Sequence, residues 1–202
     1  ASASAVIDLT HLDHAGYDGD AETVLADEIQ NANQNLAKLV QSNPRLGGMG
    51  TTVTSLLIDG DVICVAHIGD SRAYLRPVGA PVLQQLTVDH SEVQYLVSIG
   101  QLTPAQALVH PRRNVITRAL GTGQIWEPDV IVVPAVPGQR LLMCSDGLTG
   151  ELSPAHIARV LHSVPHPKEA ADVLVQAALR TGGRDNVTLV VADVLRADDP
   201  HA

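Results

Sequence analysis

Phenylalanine is absent from this 202-residue chain, and aromatic residues make up only 2% of it. The core must therefore be built from aliphatic side chains, and the hydrophobic content of 45% argues against disorder. Cysteine is also scarce, because Cys64 and Cys144 are the only two in the sequence. Two cysteines inside apolar runs do not suggest a disulfide framework, so we expect a reducing, cytoplasmic setting. No run approaches the roughly 18 apolar residues that a membrane span needs.

Basic residues are in deficit as well. The chain has 13 Lys and Arg against 22 Asp and Glu, which gives a net charge of -9 at pH 7. This balance argues against nucleic acid or an anionic membrane surface as the main partner. An acidic protein can still bind phosphate where metal ions reverse the local field. The length favours one domain, and we predict that residues 1–195 form it and that 196–202 are a tail.

Hairpins and helix pairs alternate along the chain. Helical spacing covers residues 1–12 and 21–40, and an Asp-Gly turn at 59–61 joins two β-rich runs into a hairpin. Strands are also predicted near residues 72–76, 82–86, 115–118, 130–133, 140–144 and 187–194. Helices are predicted over residues 92–99, from 103, over 154–162 and over 167–180. This order favours α+β layers over an alternating parallel sheet.

Three aspartates follow apolar runs and stand beside glycine or asparagine. They are Asp70 in Gly69-Asp-Ser-Arg72, Asp146 in Ser145-Asp-Gly-Leu148 and Asp185 in Arg184-Asp-Asn-Val187. A carboxylate at the end of a strand is directed out of the sheet, and three together would suit Mg²⁺ or Mn²⁺. Taken singly, each could equally form an Asx-turn or a helix cap.

Further segments share the context of these aspartates. They are Gly48-Met-Gly-Thr-Thr52, Leu86-Thr-Val-Asp-His-Ser91 and His110-Pro-Arg-Arg-Asn-Val-Ile-Thr-Arg-Ala-Leu-Gly121. With them the chain resembles the metal-dependent serine/threonine phosphatases of the 2C type (the PPM family), and most closely their bacterial branch. The resemblance implies an αββα sandwich of two antiparallel β-sheets flanked by helix pairs. It also implies hydrolysis of phosphoserine and phosphothreonine by metal-activated water, with Mn²⁺ or Mg²⁺ as cofactor and the targets of bacterial Ser/Thr kinases as substrates.

The resemblance also assigns roles to individual residues. Asp146 and Asp185 match two ligands of one ion in a dinuclear centre, and Asp70 matches a residue that helps Asp146 to hold a third, weaker ion. Residues 101–113 match the mobile flap beside the active site. His110, Arg112 and Arg113 are candidate substrate contacts there, although charges that merely solvate a loop are an equal alternative.

The chain departs from the family at its N-terminal end. The family carries a phosphate-binding Arg, a Glu-Asp pair and a segment of the type Asp-Gly-Met-Gly-Gly-His, whose Asp bridges two metals. No counterpart is present here, and Asp18-Gly19 is interpreted as an ordinary turn. Asp146 and Asp185 alone would hold one ion loosely, so we expect weak or absent turnover unless the segment is supplied otherwise. Two alternatives stay open: a non-catalytic phosphatase-like binding module, and an inactive truncated fragment of the enzyme.

Other candidates for chemistry are weaker. Cys144 lies in an apolar run without a basic neighbour, which indicates an inert core thiol. His67 is interpreted as a core residue rather than a ligand, and Trp126 as a packing residue. No G-x-S-x-G segment or convincing zinc spacing is present.

Overall fold

A computed structural model describes residues 20–196. They divide into two compact units. The first takes in the chain up to Asp59 together with Cys64–Asp70 and Val88–Val132, and the second takes in Gly60–Ile63, Ser71–Thr87 and the chain from Val133 onward. The helix predicted over residues 1–12, the Asp18-Gly19 turn and the tail from residue 197 lie outside the described residues.

Six α-helices and seven β-strands are found within residues 20–196. The helices are α1 (Ala21–Ser42), α2 (Glu92–Ser98), α3 (Pro104–Leu108), α4 (Asp146–Thr149), α5 (Pro154–Ser163) and α6 (Pro167–Thr181). The strands are β1 (Val53–Asp59), β2 (Val62–Ile68), β3 (Arg72–Arg76), β4 (Gln84–Gln85), β5 (Asp129–Pro134), β6 (Arg140–Cys144) and β7 (Leu189–Asp193). None of the helices in this part of the chain is long and apolar enough to cross a membrane.

Helix α1 and the strands of the first sheet form the core of the first unit. Asp20 begins the helix, because its side chain accepts a hydrogen bond from the Thr23 N–H at 2.9 Å. The apolar stripe of the helix buries Leu25 and Ile29 in one cluster with Ile68 and other strand residues. The sheet has the order β1-β2-β5. The predicted hairpin is confirmed, since β1 and β2 are neighbours joined by a turn in which Gly60 has a φ of +56°.

The second sheet carries the core of the second unit. Its order is β4-β3-β6-β7, and the described pairs β3–β4, β3–β6 and β6–β7 are all antiparallel. Leu142 of β6 lies opposite both Tyr74 and Val191. Helices α5 and α6 contribute Ile157 and Leu174, which are fully buried in the same cluster as Leu142. The helix pair therefore closes the aliphatic core of this unit.

One buried ion pair ties α5 to the second sheet. Arg140 donates from Nε to Asp193 Oδ1 at 2.6 Å and from Nη2 to Asp193 Oδ2 at 2.7 Å. Its Nη1 donates to the carbonyls of Leu161 and Val164 at 3.1 and 2.6 Å, and its Nη2 also donates to the carbonyl of Pro165. The guanidinium thus caps the C-terminal end of α5, where helix carbonyls lack partners.

The predicted class, α+β with two antiparallel sheets, is confirmed. The prediction of a strand over residues 115–118 is wrong. Ile116 forms only an isolated bridge with Ser91, through bonds from Glu92 N–H to the Val115 carbonyl and from Thr117 N–H to the His90 carbonyl. The segment has β-propensity, but no strand within residues 20–196 extends the pairing into a ladder. The last strand, β7, is shorter than its predicted span of 187–194.

Candidate metal centre

Asp146 stands where β6 gives way to α4 in the second unit. It is the first residue of α4, and Ser145 before it adopts the extended conformation of an N-cap. The side chain of Asp146 is partly buried. A carboxylate in the first turn also meets the positive end of the peptide dipoles, although a four-residue helix makes this a small effect.

Asp185 lies on the loop between α6 and β7 and is exposed. Its Oδ1 accepts a hydrogen bond from the Asn186 N–H at 2.7 Å. The residue before it, Arg184, donates to Glu151 from Nε at 2.8 Å, from Nη2 at 3.2 Å and from its backbone N–H at 3.2 Å. Glu151 therefore anchors the loop at the position next to Asp185.

Backbone contacts join the two aspartate loops. Ser145 Oγ donates to the Asn186 carbonyl at 3.0 Å and accepts from the Thr188 N–H at 3.1 Å. The Ser145 N–H donates to the Thr188 carbonyl at 2.9 Å. Gly147 lies so close to the backbone of Asn186 that a Cβ atom on Gly147 would be 2.3 Å from the Asn186 carbonyl oxygen. Glycine is therefore required beside Asp146 because another backbone occupies the space of a side chain.

This arrangement brings two negative charges together. The pKa of Asp146 is raised, first by burial and then by the negative charge of Asp185, although the Gly147 N–H and the positive charge of Arg72 act in the opposite direction. A divalent cation between the carboxylates would relieve this repulsion, and hard oxygen donors suit Mg²⁺ or Mn²⁺. The donor chemistry of Asp146 and Asp185 therefore fits the predicted ion.

A cage of three donors is not found in the described part of the chain. Among residues 20–196 there is no group of three or more His, Cys, Asp or Glu side chains placed to hold a metal ion. Asp70 belongs to the first unit, on the turn that follows β2. Its participation in a metal site stays a prediction.

The turn that carries Asp70 is held by a histidine that the sequence did not single out. Gly69 has a φ of +119°, and a Cβ atom there would lie 2.3 Å from Thr52 Cγ2. His90 bonds to both polar groups of Gly69: its N–H donates to the Gly69 carbonyl at 2.7 Å, and its Nδ1 accepts from the Gly69 N–H at 3.0 Å. The segment Leu86–Ser91 contributes to the family resemblance, but the sequence does not predict that its histidine, His90, bonds to Gly69.

His67 is a core residue, as predicted, and is fully buried. Its Nδ1 lies 2.9 Å from Thr54 Oγ1, whereas its Nε2 has no hydrogen-bond partner among the described residues. Burial, followed by the positive charge that His90 can carry, lowers the pKa of His67 to about 4. The ring is therefore neutral at pH 7. Cys144 is buried too, in agreement with the prediction of a core thiol.

The three predicted substrate contacts lie on the loop after α3. Arg112 and Arg113 are exposed, and His110 is partly exposed. Arg112 Nη2 pairs with Glu92 Oε2 at 2.5 Å, and the Arg112 N–H donates to His110 Nδ1 at 3.2 Å. The loop thus orders two of the three residues against each other, and their contact with substrate stays a prediction.

The fold and the donor pair together define this chain as an antiparallel α+β protein with a candidate site for a divalent cation. An antiparallel α+β fold that joins two carboxylates at the ends of neighbouring strands offers oxygen ligands of the kind that bind Mg²⁺ and Mn²⁺. Comparison with known proteins narrows this class. The family described as protein phosphatase 2C matches residues 4–94, and the family of stage II sporulation protein E matches residues 95–195.

Individual relatives agree with the family matches. The serine/threonine protein phosphatase PstP of Mycobacterium tuberculosis is 43% identical over 198 residues, which cover 98% of this chain and 38% of that protein. The serine/threonine phosphatase Stp of Listeria innocua is 38% identical over 172 residues, which cover 85% of this chain and 68% of that protein. The structure of the catalytic domain of PstP in complex with two manganese ions superposes with a TM-score of 0.82, at 41% identity, over 93% of this chain and 77% of that one.

The chain belongs to the 2C-type, or PPM, family of serine/threonine phosphatases, in its bacterial branch. This family uses Mn²⁺ or Mg²⁺. The chain spans less than half of the length of the mycobacterial relative, because the match covers 38% of PstP.

Proposed function

We propose that this chain is a phosphoprotein phosphatase domain that hydrolyses phosphoserine and phosphothreonine with Mn²⁺ or Mg²⁺. The observation that carries the proposal is the joined pair of Asp146 and Asp185, in a chain of this family. Burial, followed by the negative charge of Asp185, raises the pKa of Asp146, and a divalent cation bound between the two carboxylates would offset that repulsion. The domain is proposed to extend over residues 1–195.

The residues of the chain divide the work as follows. Asp146 and Asp185 would hold one cation, and Asp70 would help to hold another. When bound, the cations supply an activated water at neutral pH and stabilise charge on the phosphoryl oxygens. Ser145 and Gly147 orient the carboxylates by fixing the backbone on both sides of Asp146.

The cationic loop after α3 is proposed to receive the phosphoprotein. Arg112 and Arg113 present guanidinium groups at the surface, and guanidinium matches a phosphate in a bidentate manner. The Arg112 guanidinium also pairs with Glu92 Oε2 through Nη2 at 2.5 Å, which leaves its other donors for a phosphate. The substrates are proposed to be targets of bacterial Ser/Thr kinases. The compartment is proposed to be the cytoplasm, because the chain has only two cysteines, Cys64 and Cys144, and both are buried in apolar strands rather than arranged as a disulfide framework.

Hydrolysis of p-nitrophenyl phosphate and of a phosphothreonine peptide, with and without Mn²⁺, tests the proposal. We expect metal-dependent turnover that is weak in this chain, rises when the family's N-terminal metal-ligand segment is added upstream, and is abolished by Asp146→Asn. Asp172→Asn makes the same change of charge at an exposed position of α6 and should leave turnover unchanged. Absence of turnover, even after the family's N-terminal metal-ligand segment is added upstream, would overturn the enzyme assignment. Binding of the phosphopeptide without turnover would instead identify a non-catalytic module.

A further inference from the structure

The residue before Asp70 is held at both of its polar groups by one histidine. The Gly69 carbonyl accepts a hydrogen bond from the backbone N–H of His90 at 2.7 Å, and the Gly69 N–H donates one to Nδ1 of the His90 ring at 3.0 Å. Thr52 packs against the same glycine so closely that no side chain fits there. Because neither the peptide groups nor the surroundings of Gly69 are free to adjust, the direction in which the chain enters Asp70 depends on His90.

The hydrogen bonds determine the tautomer of His90. Its Nδ1 accepts from the Gly69 N–H, so the ring proton is on Nε2, which lies 3.1 Å from Asp129 Oδ2. Arg118 Nη1 lies 3.2 Å from the same Nε2. If Arg118 donated to Nε2, the ring proton would have to be on Nδ1. Two N–H groups would then face each other at Gly69, so this tautomer is excluded. Only the Nε2–H tautomer satisfies both Gly69 and Asp129.

Asp129 is itself fixed as an ionised acceptor. Its second oxygen, Oδ1, accepts from Arg118 Nη1 at 3.0 Å. Burial tends to raise the pKa of Asp129, but the hydrogen bond from His90 together with the charge and hydrogen bond of Arg118 outweighs burial and lowers it. The guanidinium of Arg118 lies 5.8 Å from the ring centroid of Trp126, a cation–π distance. Arg118 and Asp129 thus form an outer support for the histidine.

The plane of the His90 ring is restrained as well. The ring of His67 stacks on it with centroids 5.0 Å apart and an interplanar angle of 26°. His67 is fully buried and His90 is 7% exposed. The imidazole of His90 is therefore held at Nδ1, at Nε2 and on one face.

We propose that His90 is a positioning residue for Asp70, with Asp129 selecting its tautomer and Arg118 orienting Asp129. Partners of this kind, which do not touch a metal but orient its ligand, contribute to metal affinity. The part of the proposal that concerns metal rests on the proposed function, because it takes Asp70 as a ligand. The part that concerns the Gly69 peptide does not.

Two substitutions of His90 separate positioning from packing. In His90→Asn the short amide places its oxygen near the position of Nδ1, where it can accept from the Gly69 N–H. In His90→Gln the longer amide reaches the position of Nε2 and leaves the Gly69 N–H without its acceptor. Nuclear magnetic resonance of the whole chain would measure the ¹⁵N shifts of the His90 ring and the hydrogen exchange of the Gly69 amide. We expect an unprotonated Nδ1 and a protected Gly69 amide, with protection retained in His90→Asn and lost in His90→Gln.

Metal binding provides the second measurement. Electron paramagnetic resonance measures the concentration of free Mn²⁺ in equilibrium with the chain. This gives the affinity for Mn²⁺ even if the chain does not turn over substrate. We expect about 10-fold weaker Mn²⁺ binding in His90→Gln and Asp129→Asn, and a change of less than about 2-fold in His90→Asn. Glu127→Gln, which removes an exposed carboxylate two positions from Asp129, is the matched control and should leave affinity unchanged.

The outcomes distinguish the two proposals. A protonated Nδ1 in His90, or equal losses in His90→Asn and His90→Gln, would overturn the positioning role, because a residue that only fills space does not discriminate between the two amides. Absence of Mn²⁺ binding in the unsubstituted chain, even after the family's N-terminal metal-ligand segment is added upstream, would overturn the proposed function instead. The ¹⁵N shifts and the exchange of the Gly69 amide would then still decide whether His90 holds the turn.

Discussion

All five N–H groups of the Arg140 guanidinium donate hydrogen bonds. Replacing Arg140 therefore tests how much these bonds contribute to the stability of the second unit. Five hydrogen bonds leave the side chain: two reach the carboxylate of Asp193 and three reach the carbonyls of Leu161, Val164 and Pro165. The Arg140 side chain is 4% exposed and that of Asp193 is 22% exposed. Solvent therefore replaces few of these bonds when they are removed.

The expected losses follow from the number of bonds. Arg140→Met leaves the Asp193 carboxylate without its cation and should destabilise the fold by about 3–5 kcal/mol. Arg140→Lys keeps the charge but offers three donors to five acceptors, so at least two bonds are lost, at a cost of about 2 kcal/mol or more. Adding Asp193→Leu to Arg140→Met removes the unpaired charge and should recover about 2 kcal/mol. Recovery stays incomplete because the three carbonyls at the end of α5 still lack a donor.

Urea denaturation followed by circular dichroism measures these differences. Arg159→Met, on an exposed position of α5, removes an arginine without an ion pair of this kind and should change stability by less than about 0.5 kcal/mol. If Arg140→Lys is as stable as the unsubstituted chain, the fivefold bonding is not what stabilises this region. A double variant no more stable than Arg140→Met would likewise contradict the reasoning, because the buried charge would then not be the main cost.

Three further perturbations have defined outcomes. Gly147→Ala places a methyl group against the Asn186 carbonyl and should cost about 1–3 kcal/mol while weakening Mn²⁺ binding; an unchanged melting temperature would show that the two loops can separate freely. Arg184→Ala should speed hydrogen exchange in the loop that Glu151 anchors, with little change in global stability, and unchanged exchange would refute the anchoring. For His67 the pKa is lowered from 6.5 to about 4, so the unfolded chain binds the extra proton and stability is lost as pH falls from 6.5 toward 4, by up to about 3 kcal/mol. His67→Gln should flatten that acid dependence in urea titrations, and an equally steep dependence in the variant would exclude His67 as its source.

Sequence predicted the elements whose signals are local. Helix α5 begins after Ser153, whose side chain caps the His156 N–H, and Pro154 occupies its first turn. Strand β6 was predicted with its observed bounds, because a buried aliphatic run ends at Ser145. Asp146 and Asp185 are likewise predicted as candidates from their immediate neighbours, and their binding of a metal ion stays a prediction. Short periodic patterns and caps are properties of consecutive residues, and a sequence displays them directly.

Contacts between distant residues were not predictable in this way. His90 and Asp129 are separated by 39 positions, and Arg140 and Asp193 by 53. No local pattern marks such partners, since each polar residue has many possible mates until the fold selects one. The incorrect prediction of a strand near Ile116 has a related cause. β-propensity is a local property, whereas a ladder requires a partner strand from elsewhere in the chain.

The contacts among Ser145, Gly147, Asn186 and Thr188 have a consequence for how this region can vary. They fix the separation of the two carboxylates through the main chain, so loop length matters more than loop composition. One residue inserted between Gly183 and Thr188 would displace Thr188 from Ser145 and shift β7 by one position against β6. Because alternate residues of a strand face opposite sides, that shift would turn the core-facing side chains of β7 away from the core. The loop can therefore accept many exchanges of side chain, but a change of length by a single residue would disturb both the approach of Asp185 to Asp146 and the pairing of β7 with β6.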